Sequence, residues 1–273
     1  MQNRLKAPGG FVIKIIAHRG DTAHQPENTL SAFRAALDAG ADAIELDVHL
    51  SKDGVLIVHH DYYLGNPDNG EGAVHDKESA YIKTLTISES EHIPTLEEVF
   101  VAIGNKLNYE IELKGYSEAF LHKTLDLAGR YGLIHHIEFT SPHPYILTKV
   151  KRLDPDVKTG AFVPPLPSWM DKKLGQTLAI QNALLGGIDV IHCPIELIDR
   201  QFVDNAHGAQ LIVHAADCDT DESLDAAVRA GVDQLSTNNL TLALKHGSIY
   251  GFIYAGLCLV SNGEFNFLSV LGV

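Results

Sequence analysis

No run of eighteen apolar residues goes uninterrupted in this chain of 273, so no segment reads as a transmembrane helix and no stable membrane insertion is expected. Basic charge is scarce. Lys and Arg number 21 against 35 Asp and Glu, a formal net charge of −14. Nucleic acid is therefore not an expected partner. An acidic protein that takes an anionic substrate needs local positive charge or a metal at its site. Cysteine is nearly absent. Cys193, Cys218 and Cys258 are widely spaced and odd in number, which argues against both a disulfide framework and a zinc cluster. The start of the chain, "MQNRLKAPGGFVIKIIAHRG", holds no apolar stretch long enough for a signal peptide, and a cytoplasmic location is expected. No internal repeat and no low-complexity segment is present.

What is present is alternation. Short β-rich runs near 12–17, 43–48, 109–113, 137–140, 158–162, 188–192, 210–214 and 232–236 are each followed by a helical pattern. The helices fall near 29–39, 95–103, 117–130, 143–151, 174–185, 199–206, 221–230 and 239–246. Eight such units predict an α/β chain whose parallel strands close into a TIM-like (β/α)8 barrel, with an open doubly wound sheet as the alternative. One domain is expected over 1–273. It carries a loop insertion at about 61–93, rich in Gly, Asn and Asp, and a C-terminal extension at about 247–273 expected to pack on the barrel. The single Trp169, in "PPLPSWMDK", is expected on a mobile loop over the pocket.

An extra run, "VLIVHH" at 55–60, follows strand two after only "SKDG". A parallel crossover needs a dozen or more residues, so this link predicts an antiparallel hairpin. If Leu50 opposes Val55, Glu45 faces His60. If the loop slips by one residue on each side, Asp47 faces His60. In both cases Glu45 and Asp47 share a face with His60, and Val55, Ile57 and His59 take the other.

Glu45 and Asp47 stand two apart on a strand and so point to one face. Two carboxylates inside a barrel repel and are costly to desolvate, and a divalent cation resolves both costs. The oxygen donors suit Mg2+ or Ca2+. In "NYEIELKG", Glu112 and Lys114 lie nearest the strand's C-terminal end, where barrel active sites form. Glu112 reads as a third ligand and Lys114 as a phosphate contact. Glu110, deeper in the strand, reads as a residue paired within the barrel or facing out. His18 and His60 end their strands and could share proton transfer as acid and base. Arg19 offers a rigid fork for phosphate oxygens. Asn28 reads as the cap of the next helix, and Glu27 as a support of the site or a solvent group. The remaining histidines singled out, His59, His92, His122, His135, His136 and His246, read as surface or packing residues.

Taken in order, "HRG", "PENTLSAF", "GADAIELDVHLSKDGVLIVHHD", "IPTLEEVF" and "IELK" resemble the successive blocks of the glycerophosphodiester phosphodiesterase family over roughly residues 15–115. The resemblance implies a TIM-like barrel, a divalent metal, and hydrolysis of small glycerophosphodiesters to glycerol 3-phosphate and an alcohol. It also implies His18 and His60 as the acid–base pair, Glu45, Asp47 and Glu112 as metal ligands, and Arg19 and Lys114 as phosphate contacts. The second half departs from the pattern. His214 in "IVHAADCDT" stands where the family often has Trp-Thr, and Asn238 in "STNN" where it often has Thr-Asp. The loop after His60 lacks the usual Arg-Thr-Thr. A lysophospholipase D or sphingolipid phosphodiesterase reaction on the same centre is the second reading. A catalytically silent binding barrel is the third.

Overall fold

The computed structural model describes residues 5, 12–65, 69–88 and 91–246. The extension expected at 247–273, with Cys258, lies outside them. Eight parallel strands close on one another: β1 (Lys14–Ala17), β2 (Ala43–Leu50), β6 (Asn108–Leu113), β7 (Ile137–Ser141), β8 (Lys158–Phe162), β9 (Val190–Pro194), β10 (Ile212–Ala216) and β11 (Gln234–Thr237). β1 pairs with both β2 and β11, which completes the barrel. The helices between strands are α1 (Leu30–Ala39), α3 (Leu96–Ile103), α4 (Glu118–Arg130), α5 (Pro144–Leu153), α6 (Lys172–Gly186), α7 (Arg200–Gly208) and α8 (Asp221–Ala230), and residues 240–246 are again helical. The expected closed (β/α)8 architecture is what forms, with an added antiparallel strand β3 (Leu56–Val58) on β2.

The helices start where the sequence offers a short oxygen-bearing side chain. Thr29, Thr95, Ser117, Asp171, Asp199 and Thr220 each accept a backbone N–H from the first turn, which satisfies a donor the helix itself leaves orphaned. The ends explain a shift in strand position. Strands expected at 188–192, 210–214 and 232–236 begin two residues later. Ile188, Leu211 and Val232 still belong to the preceding helix cap, donating to Ala183 O, Ala206 O and Ala227 O. An apolar residue after such a cap packs back on the helix, and in sequence it looks like a strand's first residue.

Strand period divides the barrel wall into two faces. Ile44, Leu46, Val48, Tyr109, Ile111, Phe139, Ile191, Val213 and Leu235 point outward into one core beneath the helices. The alternate residues point into the lumen, and there Glu45, Asp47, Glu110, Glu138, His192, His214 and Gln234 are all buried. Barrel interiors are ordinarily filled by branched aliphatic residues; this one is filled largely by charge.

The hairpin is antiparallel as expected, but its register lies between the two considered. Val48 opposes Val58, His49 opposes Ile57 and Leu50 opposes Leu56. The cause is the turn. Ser51 and Val55 are themselves linked, Ser51 N donating to Val55 O at 2.9 Å and Val55 N to Ser51 Oγ at 2.9 Å. The loop is therefore three residues, with Gly54 left-handed at φ 82°, a common hairpin closure. The face assignment changes with it. His59, whose N–H donates to Asp47 O at 3.0 Å, and Ile57 lie on the carboxylate side, while Leu56 and Val58 join the main core.

Within the insertion at 61–93, a short hairpin forms from β4 (Tyr63–Leu64) and β5 (Gly72–Ala73), followed by α2 (Ser79–Ile82). Ile57, Leu64, Val74, Ile82, Leu85 and Ile93 make a second small apolar cluster, so this segment packs over the hairpin rather than standing free. Ser51 Oγ also donates to Asp53 Oδ1 at 2.7 Å. Replacing Ser51 by Ala is expected to lower unfolding free energy by about 1–2 kcal/mol through loss of these bonds, measured by urea denaturation.

Candidate active site at the barrel mouth

The C-terminal ends of β1, β2 and β6 bring the charged groups together. β2 and β6 pair in register, Glu45 with Glu110 and Asp47 with Glu112. Glu45, Asp47 and Glu112 each offer an oxygen, and these oxygens lie within 4.8 Å of one another. Glu45 and Asp47 are almost wholly buried. Desolvation, with Asp47, Glu110 and Glu112 close by, drives the Glu45 carboxyl well above its ordinary value. Asp47 goes the other way. Its burial is outweighed by the Lys114 ammonium, an Asn28 hydrogen bond and the Arg19 charge, which hold it ionised. Lys114 Nζ sits 2.9 Å from Asp47 Oδ1 and 2.8 Å from Glu112 Oε1. Three hard oxygen donors, one of them forced toward protonation by its neighbours, fit a divalent cation.

The loop after β1 is built around these carboxylates. Arg19 is left-handed at φ 57°, and Asn28 likewise at φ 55°. Such conformations cost of order 1 kcal/mol or more each and persist only where surrounding bonds impose them. Arg19 N donates to Glu45 Oε2 at 2.9 Å, and Asn28 N donates to Arg19 O at 3.0 Å. Gly20 follows at φ 91°, and a Cβ there would lie 2.6 Å from Ala32 Cβ, so a side chain is excluded by space as well as by conformation. The Arg19 guanidinium reaches Glu27 through Nη1 at 3.0 Å, and its Nε lies 3.6 Å from Asp47 Oδ2. Glu27 thus supports Arg19.

Asn28 does not cap α1 as the sequence suggested; Thr29 does. Asn28 instead donates from Nδ2 to Asp47 Oδ2 at 2.8 Å. A carboxylate at hydrogen-bond distance captured the side chain, and the neighbouring hydroxyl took over the cap.

His18 is oriented by residues from the far end of the chain. Its Nδ1 lies 2.8 Å from Asn238 Oδ1, and Asn238 Nδ2 donates to Asp219 Oδ2 at 2.8 Å. Asn238 therefore presents its oxygen to the ring, Nδ1 carries the proton in this bonding pattern, and Nε2 faces Glu45 Oε2 at 3.8 Å. His60 is placed differently. It follows β3, is partly exposed, and its Nδ1 bonds Asp61 Oδ1 at 2.7 Å rather than a carboxylate of the cluster. So His18, Arg19, Glu45, Asp47, Glu112 and Lys114 converge, and His60 stands apart from their contacts. Sequence reasoning missed Asp219 as the support of Asn238, and no local pattern marks it. It missed Glu138, His192 and Gln234 as a buried group under the mouth, although "VIHCP" and "IEFTS" carry the right strand period. Trp169 is exposed on the loop after β8, and the Cys193 and Cys218 thiols are free and buried.

A family profile described as "Glycerophosphoryl diester phosphodiesterase family" matches residues 18–242. A protein from Caldanaerobacter subterraneus named glycerophosphodiester phosphodiesterase is 40% identical over 161 residues, 54% of this chain and 65% of that protein. The chain spans about half the length of several other curated relatives. Among solved structures, a glycerophosphodiester phosphodiesterase from Agrobacterium tumefaciens superposes with a TM-score of 0.75 at 24% identity, covering 86% of this chain and all of that one. A phosphodiesterase from Oleispira antarctica, in complex with the product sn-glycerol-3-phosphate, gives 0.75 at 24% identity, over 85% of this chain and 96% of that one. At this identity the structural likeness establishes the fold.

The buried acids set a pH dependence of stability. Burial, opposed by His192 and Lys158, pushes Glu110 up to about 8, so the folded state keeps a proton that the unfolded state releases near 4.5. Its stabilisation is full below that value and is lost as pH rises through 8. Glu45 and His192 are also raised and act in the same direction. His214, depressed by burial, opposes them only below its ordinary 6.5. The cation-free protein is therefore expected to lose about 1–2 kcal/mol between pH 6.5 and 8, measured by denaturant titration at each pH.

Proposed function

This chain belongs to the glycerophosphoryl diester phosphodiesterase family, and from that premise we propose that it hydrolyses small glycerophosphodiesters to glycerol 3-phosphate and an alcohol. The observation that carries the reading is the convergence of Glu45, Asp47 and Glu112 with Arg19 and Lys114 at one barrel mouth. This is a metal cradle bordered by two phosphate-binding cations. The glycerol 3-phosphate held by the Oleispira relative supports the product assignment.

In this reading Glu45, Asp47 and Glu112 hold Mg2+ or Ca2+, which when bound polarises the phosphoryl group and offsets its charge. Arg19 binds a phosphate oxygen through its planar fork, with Glu27 fixing the angle of approach. Lys114, released from part of its carboxylate pairing, binds a second. His18, with Nδ1 donating to Asn238, presents Nε2 as the proton acceptor or donor. His60 takes the complementary role, which requires its imidazole to turn from Asp61 toward the substrate. The chain acts as a single domain in the cytoplasm, on a soluble small molecule and without nucleic acid. Among the described residues no helix is long and apolar enough to cross a membrane.

A panel of glycerophosphodiesters and lysophospholipids, assayed with and without chelator, tests the reading. Turnover of glycerophosphodiesters, lost in chelator and restored by Mg2+ or Ca2+, is expected. Turnover of the lysolipids alone would move the assignment to the lysophospholipase D reading, and full activity with no metal by elemental analysis would end it. His18→Ala and His60→Ala are each expected to reduce turnover by about 10²–10⁴-fold, as for general acid–base groups, with circular dichroism unchanged. Near-native turnover in either variant removes that residue from the pair.

A further inference from the structure

We propose that the barrel lumen holds a second cation site beneath the mouth, in which Glu110, His192 and His214 bind a divalent transition ion of the Zn2+ class. The three side chains are fully enclosed, 3%, 1% and 0% exposed, and each offers a donor atom within 4.8 Å of the others. His192 Nδ1 lies 3.5 Å from Glu110 Oε1, and His214 Nδ1 lies 3.5 Å from Glu110 Oε2. These separations are poor for hydrogen bonds. They lie close to the roughly 3.3 Å that separates two ligands of a tetrahedral ion with bonds of about 2.0–2.1 Å.

The hydrogen bonding is unfinished in the same place. Glu110 Oε2 and His192 Nδ1 are buried with no hydrogen-bond partner among the described residues, and so is His214 Nε2 on the far side of its ring from Glu110. Isolated buried polar groups of this kind are destabilising, and the pair on Glu110 and His192, which face one another, calls for a common explanation. The surrounding groups are, by contrast, well ordered. His192 Nε2 lies 2.6 Å from Glu138 Oε1, and Glu138 is held by Lys158 Nζ at 2.8 Å and Gln234 Nε2 at 3.0 Å. A carboxylate bonded to the far nitrogen is the arrangement that orients a metal-ligating imidazole. Gln234 Nε2 donates to His214 Nδ1 at 3.2 Å, and the His214 ring lies stacked on His192 with centroids 4.0 Å apart, so binding requires the His214 ring to turn off that bond.

Charge and donor type point the same way. Two carboxylates, Glu110 and Glu138, face one lysine, Lys158. One carboxylate charge is left over, and a cation among Glu110, His192 and His214 offsets it. Two imidazoles with one carboxylate suit Zn2+ and its neighbours, whereas Mg2+ and Ca2+ favour oxygen throughout. A cavity of about 90 Å3 at the barrel floor, lined by Glu110, Glu138, Lys158, Gln234, His135 and His136 among others, reaches Glu110 but neither His192 nor His214, so it brings no substrate to the imidazoles. The ion is therefore structural. It would neutralise Glu110, the strand neighbour of Glu45, and so ease the crowding of carboxylates above it.

The test uses the full chain, stripped by chelator and titrated with Co2+ in excess Mg2+, which keeps the all-oxygen mouth occupied. One tightly bound Co2+ with the strong visible bands of a low-coordinate, nitrogen-ligated ion, displaced by Zn2+ but not by Mg2+, is expected. Those bands should be lost in His192→Asn and His214→Asn. Weak bands of a six-coordinate, oxygen-ligated ion, or strong bands that survive both substitutions, overturn the proposal. Should the variants fail to fold, X-ray absorption of Zn2+ bound to the unaltered protein decides. Two imidazole nitrogens in the shell support the site, and an oxygen-only shell overturns it. These readouts do not depend on turnover, so failure of the proposed phosphodiesterase activity would leave them unaffected.

Discussion

Desolvating carboxylates inside a closed ring of strands is the constraint to which the rest of this structure responds. Glu45, Asp47, Glu110 and Glu138 are each 6% exposed or less, and strand pairing sets Glu45, Glu110 and Glu138 side by side on three consecutive strands. An unpaired ion in such surroundings costs several kcal/mol, so each must be paired, protonated or metal-bound. The barrel uses separate groups at two levels. Toward the mouth, Lys114 and Arg19 offset Asp47 and Glu112. Toward the floor, Lys158 and His192 offset Glu138 and Glu110. Gly160 makes the lower level possible, since a Cβ there would collide with Glu138 Oε1 and His192 Nε2.

The same constraint bears on the hairpin. β2 runs on past the barrel rim to Leu50, and β3 covers that overhang. The insertion buries Ile57 in its own small cluster. His49, buried beside Tyr62 and pushed down to about 4 by burial and the nearby His59, stays neutral there. A single Asp47 thus meets Lys114, Arg19, Asn28 and the His59 backbone at once, fixed from three separate segments.

Much of this was legible in the sequence, for a definite reason. Period-two alternation places Glu45 with Asp47 and Glu112 with Lys114 on single faces whatever the tertiary structure, and the (β/α) alternation fixes which strand ends form the mouth. What was not legible depends on register. The hairpin was misread by one position because Ser51 joined the ladder instead of the loop, and one position exchanges the faces of a strand. The floor cluster escaped because Glu138, His192 and Gln234 come from three distant strands, and each alone looks like an ordinary strand residue. Asn28 was assigned to a cap because its nearest competitor, Asp47, is nineteen positions away.

Asn238 shows how such long-range placement shapes chemistry at the mouth. The carboxylate of Asp219 does not touch the His18 ring; it grips Asn238 through the backbone N–H at 2.6 Å and the side-chain amide at 2.8 Å. The amide oxygen then accepts the hydrogen bond from Nδ1–H. A carboxylate placed directly on that nitrogen would favour the imidazolium. An amide between them transmits the orientation without the charge and leaves Nε2 free for its other side. That side is Glu45, 3.8 Å from Nε2, so the working nitrogen of His18 is aimed at the buried carboxylates whose desolvation shapes the barrel.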